Sequence, residues 1–519
     1  MRTKLIFANA ADGTLHKPSA NAAIYPNLGL LTLMSEIKNN QDCSALELAY
    51  FDGTVYGNQM LADYIEKNHD SIFGLCFSVL TSNYRASTEL ASLAKLLDDK
   101  IITIFGNDHF ASCYIEAMSN QSCIDFGFRG NDIVMGFTRF VCDLLANKTK
   151  ELNSYSGLVY RDQSGETKAN PEDPSEYSEL SLVDYSLADS FLPHLERYLH
   201  DQQETYSFMK GRGLRSMVVD IGRGCIKLAG KKVAGVPVNA CDFCGIIAGS
   251  KPIASKGARR AWSILQNAYE QGFNYFYITA DELPLTLWPL VKEMIEITPD
   301  WYSSISAQDR PKMFGYARAE AFALHSERIS ILVEKLGMDH FFVGFDGLSE
   351  ISLQMMNKAP IGSIPENLME QNLIAMEMLS KQGCLVTAGI VLTHLGITPE
   401  IMEGNFQTVK RQVEKHPNAF AALDFGPLCP IPGSQAFQYL LNPDLAEEKA
   451  SRFELSVNKS YLTEMRDKYI GQDMMDIGEL IQDFVRGCCP KISMELVNEH
   501  IQRITDIATS HGIVVGGGV

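Results

Sequence analysis

The 519-residue sequence is poor in positive charge relative to negative charge. Lys and Arg number 45 against 63 Asp and Glu, which gives a formal net charge of -18 at pH 7. Proteins that grip a phosphate backbone rely on clustered Lys and Arg. The balance therefore argues against a nucleic-acid partner and favours a small or neutral substrate, although a local basic groove could lie within the acidic total.

Long hydrophobic runs are also lacking. No stretch reaches the ~18 consecutive apolar residues of a membrane span. The opening MRTKLIFANAADG is typical of a first strand rather than of a signal peptide. We therefore expect a cytoplasmic protein with no membrane partner.

Clustered cysteines are few. The twelve cysteines are scattered except for Cys241/Cys244 and Cys488/Cys489, and most are expected to be reduced thiols. A tight pair indicates a metal or redox role. Hydrophobic residues make up 46% and charged residues 21%, which is ordinary for folded domains, and the length favours about three domains.

Residues 1–150 alternate short β-like runs with helical patterns, beginning with KLIFANA and LGLLTLMSEIKNN. Five strands with helical crossovers predict an α/β fold with a doubly wound, Rossmann-like parallel sheet. Ligands of such sheets bind beyond the carboxyl ends of the strands. That edge is predicted near Asn9 and within 78–82, 106–109 and 129–131.

The remaining chain divides into three predicted parts. Residues 151–212 are polar and irregular, and DQSGETKANPEDPSEYSE indicates a linker. Residues 213–435 resume the alternation with longer helices, and six β/α units predict a partial (β/α)6 TIM-type barrel. Residues 436–519 are predicted to form a mainly helical C-terminal domain.

Unusual polar residues recur at the predicted carboxyl ends of the barrel strands, where such barrels carry their working groups. They come from six segments and would converge on one mouth: Gly224 and Cys225, Asp281 and Glu282, Arg318, Asp346 and Gly347, His394, and the CPIPGS segment that begins at Cys429.

The loop after the first barrel strand carries Cys225, Cys241 and Cys244. Three thiolates can hold three irons of a cubane and leave the fourth iron open to a ligand, whereas a closed structural site uses four protein ligands. A zinc loop completed by a distant His and a CxxC redox pair are the alternatives. No fourth Cys and no His lies between Cys225 and His325.

The motifs of this chain, taken in order, resemble the radical S-adenosylmethionine superfamily, especially its subgroup with an N-terminal cobalamin-binding domain. The resemblance covers about residues 1–435 and rests on YPNLGLLTL, GNDH, FRGND, RGC...CDFC, VGFDGLSEISLQMMNK and PLCPIPGS. The chain departs from the usual CxxxCxxC pattern, because fifteen residues separate Cys225 from Cys241. We interpret them as an insertion between two ligands; the alternative is that Cys225 is not a ligand.

The resemblance implies a chemistry and the residues that serve it. Cys225, Cys241 and Cys244 would be the catalytic centre and hold a 4Fe-4S cluster whose open iron chelates S-adenosyl-L-methionine, and Phe243 in the retained CDFC would contact the cofactor. Reductive cleavage would give a 5'-deoxyadenosyl radical that abstracts a substrate hydrogen. For the same cofactor, Asp281 and Glu282 would meet the methionine amino group, Arg318 the carboxylate and Asp346 the ribose.

Structural roles are the alternatives for these side chains. Any of the charged residues could instead form a structural ion pair. His394 stands where relatives often have a GLPGE-type turn and could face substrate or cofactor, but a lone His is more often structural. The same holds for Cys429.

By the same resemblance, residues 1–150 would bind cobalamin. The DxHxxG signature is absent, since neither His16 nor His109 stands in that pattern, so binding would leave cobalt without a histidine ligand. Small and polar residues permit close approach of a flat macrocycle. The predicted contacts are Asn27, Gly29, Ser78, Thr81, Ser82, Gly106, Asn107, His109 and Gly130. A vestigial domain that binds nothing is the alternative.

The leading hypothesis is a cobalamin-dependent radical enzyme that methylates an unactivated carbon of a small molecule or peptide, served by an electron donor such as flavodoxin or ferredoxin. Cobalamin-dependent rearrangement, ring contraction or cyclisation fits the same residues. A methylthiotransferase acting on RNA is disfavoured by the acidic balance. A non-enzymatic metal-binding or redox-sensing protein would require a closed cluster.

Overall fold

The computed structural model describes residues 2–17, 24–149, 151–173, 179–206, 209, 211–228, 232–233, 236–237, 240–245, 253–358, 368–382 and 384–516. The chain forms two compact units. Unit 1 comprises Met1–Thr205 with Gly471–Asp476, and unit 2 comprises Tyr206–Gly245, Pro252–Ile470 and Ile477–Val519. None of the described helices is long and apolar enough to cross a membrane.

Unit 1 is a seven-stranded sheet flanked by helices. Its strands are β1 (Lys4–Asn9), β2 (Glu47–Asp52), β3 (Ile72–Ser78), β4 (Ile102–Gly106), β5 (Phe126–Phe128), β6 (Leu158–Arg161) and β7 (Thr167–Ala169). Its helices are α1 (Leu28–Asn39), α2 (Gly53–Tyr56), α3 (Asn58–Asn68), α4 (Tyr84–Leu97), α5 (Asp108–Asn120), α6 (Val134–Leu145) and α7 (Leu195–Thr205).

The strand order of unit 1 is β2-β1-β3-β4-β5-β6-β7, and the first five strands are parallel. The five predicted strands are therefore confirmed. The order reverses between β1 and β3, which is the switch point where such sheets bind ligands. Ten of the twelve cysteines are free thiols, and Cys43 and Cys142 form a disulfide within this unit.

Residues 151–212, which were expected to be an irregular linker, differ from that prediction. Strands β6 and β7 extend the first sheet in antiparallel pairing. Arg161, at the end of β6, donates from Nη1 to the Ile124 carbonyl at 2.6 Å, and from Nη2 to the Gln121 carbonyl at 2.8 Å and the Met118 carbonyl. Runs of four and three residues are too short to show strand alternation in sequence.

Unit 2 contains a second sheet and four shorter strands. The strands are β8 (Ser216–Val219), β9 (Gly222–Gly224), β10 (Lys232–Val233), β11 (Val236–Pro237), β12 (Ile253–Ser255), β13 (Tyr275–Ile278), β14 (Lys312–Arg318), β15 (Met338–Asp346), β16 (Leu385–Val391), β17 (Phe420–Gly426) and β18 (Val514–Val515). The order β18-β17-β16-β15-β14-β13-β8 is parallel throughout. The predicted partial barrel is thus confirmed.

The helices of unit 2 follow the strands and continue to the C-terminal region. They are α8 (Ala258–Glu270), α9 (Trp288–Glu296), α10 (Asp300–Ser303), α11 (Ala319–Leu324), α12 (Ser326–Leu336), α13 (Glu350–Met355), α14 (Leu368–Gln382), α15 (Pro399–Lys415), α16 (Gln435–Leu441), α17 (Pro443–Ser451), α18 (Lys459–Tyr469), α19 (Ile477–Cys488) and α20 (Met494–Ser510). The region 436–519 is mainly helical as predicted, but β18 joins the barrel sheet and 471–476 belongs to unit 1.

The two faces of the barrel sheet differ in burial. On β15, Phe341 packs edge-on against Phe322 of α11 and is fully buried. Phe342 points the opposite way, against Tyr316 at 5.0 Å between ring centroids, and is only half-buried. Alternation along a strand places such neighbours on opposite faces. We call the face of Phe342 and Tyr316 the inner face; it is the side on which solvent reaches the strands.

Replacing Arg161 tests whether residues 151–212 are part of the fold. We expect Arg161→Ala to lower the free energy of unfolding by about 2–3 kcal/mol, because charged hydrogen bonds to three carbonyls at a helix end are lost. The measurement is urea denaturation followed by circular dichroism. The matched control Lys168→Ala removes an exposed ion pair on β7 and should cost less than about 0.5 kcal/mol. Equal, negligible effects would mean that the segment is a loose linker.

Candidate active site

The three predicted cysteine ligands lie at the carboxyl ends of the unit 2 strands. Cys225 directly follows β9, and Cys241 and Cys244 share a tight turn in which the Cys244 amide donates to the Cys241 carbonyl at 3.0 Å. Cys241 is buried, while Cys225 and Cys244 are half-buried. Most of the loop between Cys225 and Cys241 lies outside the described residues.

Arg318, the last residue of β14, connects the cysteine turn to the sheet. Its Nη1 lies 3.9 Å from Cys241 Sγ, and its Nη2 donates to the Lys358 carbonyl at 2.8 Å and to the Glu320 carboxylate. Burial raises the pKa of the Cys225 thiol, and the Arg318 charge acts in the opposite direction. One guanidinium therefore lies beside two of the three cysteines, and its charge counteracts part of the effect of burial on Cys225.

Two ion pairs lie at this site, one formed by the guanidinium with Glu320 and one formed next to it by Lys358 with Asp346. Burial acts to raise the pKa of Glu320, but Arg318 and Lys358 hold it below the usual range. Lys358 also forms an ion pair with Asp346. Asp346 has a positive φ of 55°, and a register shift separates it from Gly344. The bulge turns the carboxylate back over the strand, and a Cβ at Gly344 would come within 3.2 Å of both the Asp346 carboxylate and Lys358 Nζ.

The cysteine turn is also held by backbone contacts on one side. The Asp242 amide donates to the Met356 carbonyl at 3.0 Å, and Asn357 Nδ2 donates to the Ala240 carbonyl at 2.9 Å. Both acceptor and donor follow α13, in the predicted motif VGFDGLSEISLQMMNK. The motif therefore supports the cysteine turn as well as the Asp346 ion pair.

On the other side, the buried Asp242 carboxylate binds the C-terminal helices. It accepts from the Tyr439 hydroxyl at 2.6 Å and forms an ion pair with Lys449. The Ala436 amide donates to the Asp242 carbonyl at 2.8 Å. These contacts fix the residue between the two cysteines of CDFC, so the turn is rigidly attached to α16 and α17.

Asp281 and Glu282 already have backbone partners. Asp281 accepts from the Gly224 amide at 2.6 Å, next to Cys225. Glu282, which is fully buried, accepts from the amides of Leu285 at 3.0 Å and Thr286 at 2.6 Å. Burial raises the pKa of both carboxyl groups. Asp281 therefore orients the first cysteine, and Glu282 caps the turn that follows β13.

His394 and Cys429 have structural surroundings. His394 is 1% exposed, with Nε2 3.1 Å from Ser352 Oγ and Nδ1 3.0 Å from the Leu395 carbonyl. Burial lowers the pKa of His394 to about 4, and burial raises the pKa of the Cys429 thiol to about 12. Phe243 stands in the cysteine turn and is half-buried. Both nitrogens of His394 are thus occupied within the fold.

In unit 1, three predicted contact residues meet at the switch point. Ser78, at the end of β3, accepts from Asn27 Nδ2 at 2.9 Å and from Asn107 Nδ2 at 3.0 Å. Asn27 caps α1 and Asn107 caps α5. Gly29 is exposed beside this network, and a Cβ at Gly106 would meet nothing closer than a carbonyl at 3.6 Å. The edge is therefore polar, small and open.

His109 lies beside this edge but is engaged. Nδ1 is 3.1 Å from Thr81 Oγ1 and Nε2 is 2.9 Å from the Asp473 carbonyl, and the ring is 4.4 Å from that of Tyr84. Burial lowers the pKa of His109 to about 4. Ser82 accepts through its carbonyl from Gly13 at 3.0 Å. His16 is exposed and bonds Gln59.

Gly130 serves the fold rather than an open surface. Its φ is 105°, and a Cβ would lie 2.1 Å from the Glu172 carboxylate, which accepts from the amides of Asn131 at 3.0 Å and Asp132 at 3.2 Å. Sequence reasoning missed Glu172, Glu320, Lys358 and Asp242. For Glu320 and Lys358 a signal existed, since ARAE and LQMMNK lie in segments already assigned to the mouth.

The spacing of the cysteine sulfurs distinguishes between metal types. Around a single zinc, Zn–S bonds of ~2.3 Å place tetrahedral sulfurs ~3.8 Å apart. Among the described residues, only His69, Asp70 and Asp98 bring three ligand atoms within 4.8 Å of one another. The sulfurs of the three cysteines are thus not all within 4.8 Å of one another, as a preformed mononuclear zinc site would require.

No protein-family model matches the chain. The anaerobic magnesium-protoporphyrin IX monomethyl ester cyclase of Rubrivivax gelatinosus is 21% identical over 335 residues, which cover 64% of this chain and 53% of the cyclase. The chain therefore matches about half the length of that curated relative.

Two solved structures resemble the whole architecture. The radical S-adenosylmethionine methyltransferase TsrM from Kitasatospora setae, with cobalamin and a 4Fe-4S cluster bound, is 14% identical with a TM-score of 0.60, over 87% of this chain and 78% of that one. The cobalamin-dependent S-adenosylmethionine radical enzyme OxsB, with aqua-cobalamin and S-adenosylmethionine bound, is 14% identical with a TM-score of 0.63, over 96% and 66%.

The fold is therefore that of the radical S-adenosylmethionine enzymes. TsrM, with cobalamin bound, and the cobalamin-dependent OxsB share this fold with the chain. The resemblance identified from the motifs is confirmed at the level of the fold.

The pH dependence of stability tests the engaged state of His109. The unfolded chain takes up a proton near the ordinary pKa of 6.5, but the folded chain resists it until about 4. The stabilisation is complete above pH 6.5 and falls as the pH decreases toward 4. We expect this residue to account for a loss of about 2 kcal/mol between about pH 7.5 and about pH 5.

In a His109→Gln variant that part of the pH dependence should disappear in urea denaturation at the two pH values. His16→Gln, which changes the exposed histidine, serves as the control and should keep the wild-type dependence. If His109→Gln also keeps it, the ring is free to protonate in the folded protein.

Proposed function

We propose that this chain is a cobalamin-dependent radical S-adenosylmethionine enzyme that methylates an unactivated carbon of a small molecule or peptide. The observation that carries the proposal is the placement of Cys225 and Cys241 beside the buried Arg318, at the strand ends of a barrel with this fold. The acidic total of -18 supports a substrate other than nucleic acid. An electron donor such as flavodoxin or ferredoxin is part of the proposal.

The cysteine turn fits a 4Fe-4S cluster. Cys225, Cys241 and Cys244 would hold it, because their sulfurs are not all within the 4.8 Å of one another that a zinc site would require and a cationic Arg318 lies 3.9 Å from Cys241 Sγ. Asp281 orients Cys225 by accepting from the Gly224 amide. Asp242 orients the turn of Cys241 and Cys244 through its contacts with Tyr439 and Lys449. When bound, the cluster supplies the electron that cleaves S-adenosyl-L-methionine.

The polar groups next to the cysteines fit the amino acid moiety of S-adenosyl-L-methionine. One of the predicted contacts, the one to the ammonium group, is reassigned. Asp281 and Glu282 are engaged with backbone amides. The Glu320 Oε2 atom, in contrast, is buried and has no hydrogen-bond partner among the described residues. An unsatisfied buried oxygen is costly, so we assign the ammonium contact to Glu320. Arg318 and Asp346 retain the predicted carboxylate and ribose contacts.

The open edge of unit 1 fits a corrinoid, which would supply the methyl group when bound. Asn27, Ser78 and Asn107 form a rigid polar network at the switch point, and Gly106 leaves room above the strand end. His109 is held by Thr81 and the Asp473 carbonyl. Binding without a histidine on cobalt is therefore the mode that these residues favour.

A cyclisation or rearrangement is the second candidate. The observation that favours it is the sequence similarity to a cyclase at 21% identity. The same cysteines would start either reaction, so the outcome depends on the fate of the cofactors. Methylation consumes S-adenosyl-L-methionine to S-adenosylhomocysteine as well as to 5'-deoxyadenosine, whereas cyclisation yields 5'-deoxyadenosine alone. A vestigial first domain or a non-enzymatic metal protein would release neither methylated product nor S-adenosylhomocysteine.

Alanine substitutions of the cysteines test the cluster. After anaerobic reconstitution, we expect Cys225→Ala, Cys241→Ala and Cys244→Ala each to lose iron and to reduce 5'-deoxyadenosine release by about a hundredfold or more, since the open iron holds the reacting cofactor. Iron content, optical spectra and product chromatography are the measurements.

Cys429→Ala is the matched control, because this half-buried thiol also lies beyond a strand end and should be dispensable. If Cys429→Ala loses iron, a fourth protein ligand closes the cluster and the enzymatic proposal fails. If Cys225→Ala keeps full activity, the first ligand has been assigned to the wrong residue.

Substitution of Gly106 tests the corrinoid site. A Cβ at Gly106 would meet only the Phe128 carbonyl, at 3.6 Å, so the side chain in Gly106→Val starts without a clash and extends into the space where a corrinoid is proposed to bind. We therefore expect wild-type stability and iron content, with cobalamin retention after gel filtration reduced by about tenfold or more. The Leu96→Ser variant, which changes an exposed residue of α4 in the same unit away from the predicted edge, should retain cobalamin. Unchanged retention by Gly106→Val would place the corrinoid elsewhere or leave the domain vestigial.

A further inference from the structure

The inner face of the barrel sheet contains one row of residues fixed by strand register. Arg318 pairs with Gly344, Gly344 pairs with Gly389, and Gly389 pairs with Asp424. Register partners in a parallel sheet point to the same side. Asp424 therefore shares the inner face with Arg318, with two glycines between them.

Asp424 is the unpaired carboxylate of this row. It is half-buried, and burial raises the pKa of its carboxyl group. It makes no hydrogen bond or ion pair with any residue that the structure describes. Arg318 and the nearby Lys358 are engaged with Glu320 and Asp346, so they do not neutralise it.

Aromatic rings lie on the same face of the sheet as the carboxylate. The Phe342 ring lies over Gly389, where a Cβ would come within 2.8 Å of a ring carbon. The Tyr316 ring is tilted by 60° from the Phe342 ring with 5.0 Å between the ring centroids, and the Tyr277 ring meets Tyr316 edge-on at 5.9 Å. Burial raises the pKa of Tyr316, and the charge of Asp424 adds to that rise. A carboxylate that shares a face with aromatic rings can attract a cation through its charge, and the ring quadrupoles add to that attraction.

We propose that Asp424 is a specificity-determining residue that binds a protonated amine of the substrate within the barrel. The inference rests on the proposed function, because it deepens that function by naming the substrate class as an amine-bearing molecule. The paired ions beside Cys241 are used by the fold and the cofactor, which leaves Asp424 as the recognition group. An aromatic or apolar part of the same substrate would lie against Phe342 and Tyr316.

Phenethylamine and N-acetylphenethylamine are suitable probes, because they differ in the charge of one nitrogen. The measurement is isothermal titration calorimetry with the anaerobically reconstituted full chain. We expect phenethylamine to bind the wild type and to bind Asp424→Asn with an affinity at least about tenfold lower. The neutral acetyl derivative should bind both proteins weakly. Asp424→Asn should also raise the melting temperature by about 2–4 °C, since an unpaired charge is removed.

Asp339→Asn is the matched control. Asp339 lies near the opposite end of β15, accepts from Tyr275 at 2.9 Å and is paired with Arg212 at 2.7 Å. Its variant should melt lower than wild type and bind phenethylamine as wild type does. The proposal is overturned if phenethylamine fails to bind wild type, or if Asp424→Asn binds it equally well.

A third arm identifies the source of the amine. S-adenosyl-L-methionine also carries an ammonium group, and weaker binding of that cofactor to Asp424→Asn would overturn the assignment to the substrate. Equal cofactor binding supports it. Release of 5'-deoxyadenosine by the wild type tests the proposed function separately, so loss of that activity with intact amine binding contradicts the proposed function alone.

Discussion

The arrangement at the barrel mouth depends on the burial of the Arg318 guanidinium. A buried cation carries a desolvation cost of several kcal/mol and persists only with strong partners. Glu320, the Lys358 carbonyl and Cys241 Sγ are those partners, and they come from three separate segments of the chain. A single buried charge therefore requires β14, the segment after α13 and the cysteine turn to meet. The position of the thiols follows from this requirement.

The regular part of the molecule could be predicted because its signal is local. The six barrel strands stand where apolar runs predicted them, and Arg318 and Asp346 end their strands as expected. Strands β6 and β7 could not be found in this way, since their pairing is with distant residues and their runs are short. The contribution of Arg161 to α5 likewise depends on contacts of long sequence separation.

The roles of the charged residues were less predictable than their locations. Asp281, Glu282 and His394 were expected to face a ligand, and each has its main hydrogen bonds within the fold. Every residue type except proline has a backbone amide, so the sequence does not show which carboxylates accept hydrogen bonds from backbone amides. Such a carboxylate cannot be distinguished in sequence from one that binds a cofactor. Gly130 is a similar case. A glycine is required there because a Cβ would clash with the side chain of Glu172, a contact that the sequence does not reveal.

The partners of the acidic groups divide the mouth into structural and recognition parts. Asp242 and Asp281 are held by groups that position the cysteine loops, and Asp346 is paired with Lys358. For each of these carboxylates, the hydrogen bonds or ion pair with its partners offset the free-energy cost of burying a charge. Asp424 has no such gain among the described residues, yet it lies on the half-buried inner face beside Phe342. An unpaired carboxylate of this kind does not stabilise the fold. Its presence is therefore best explained by binding to a substrate that enters the barrel.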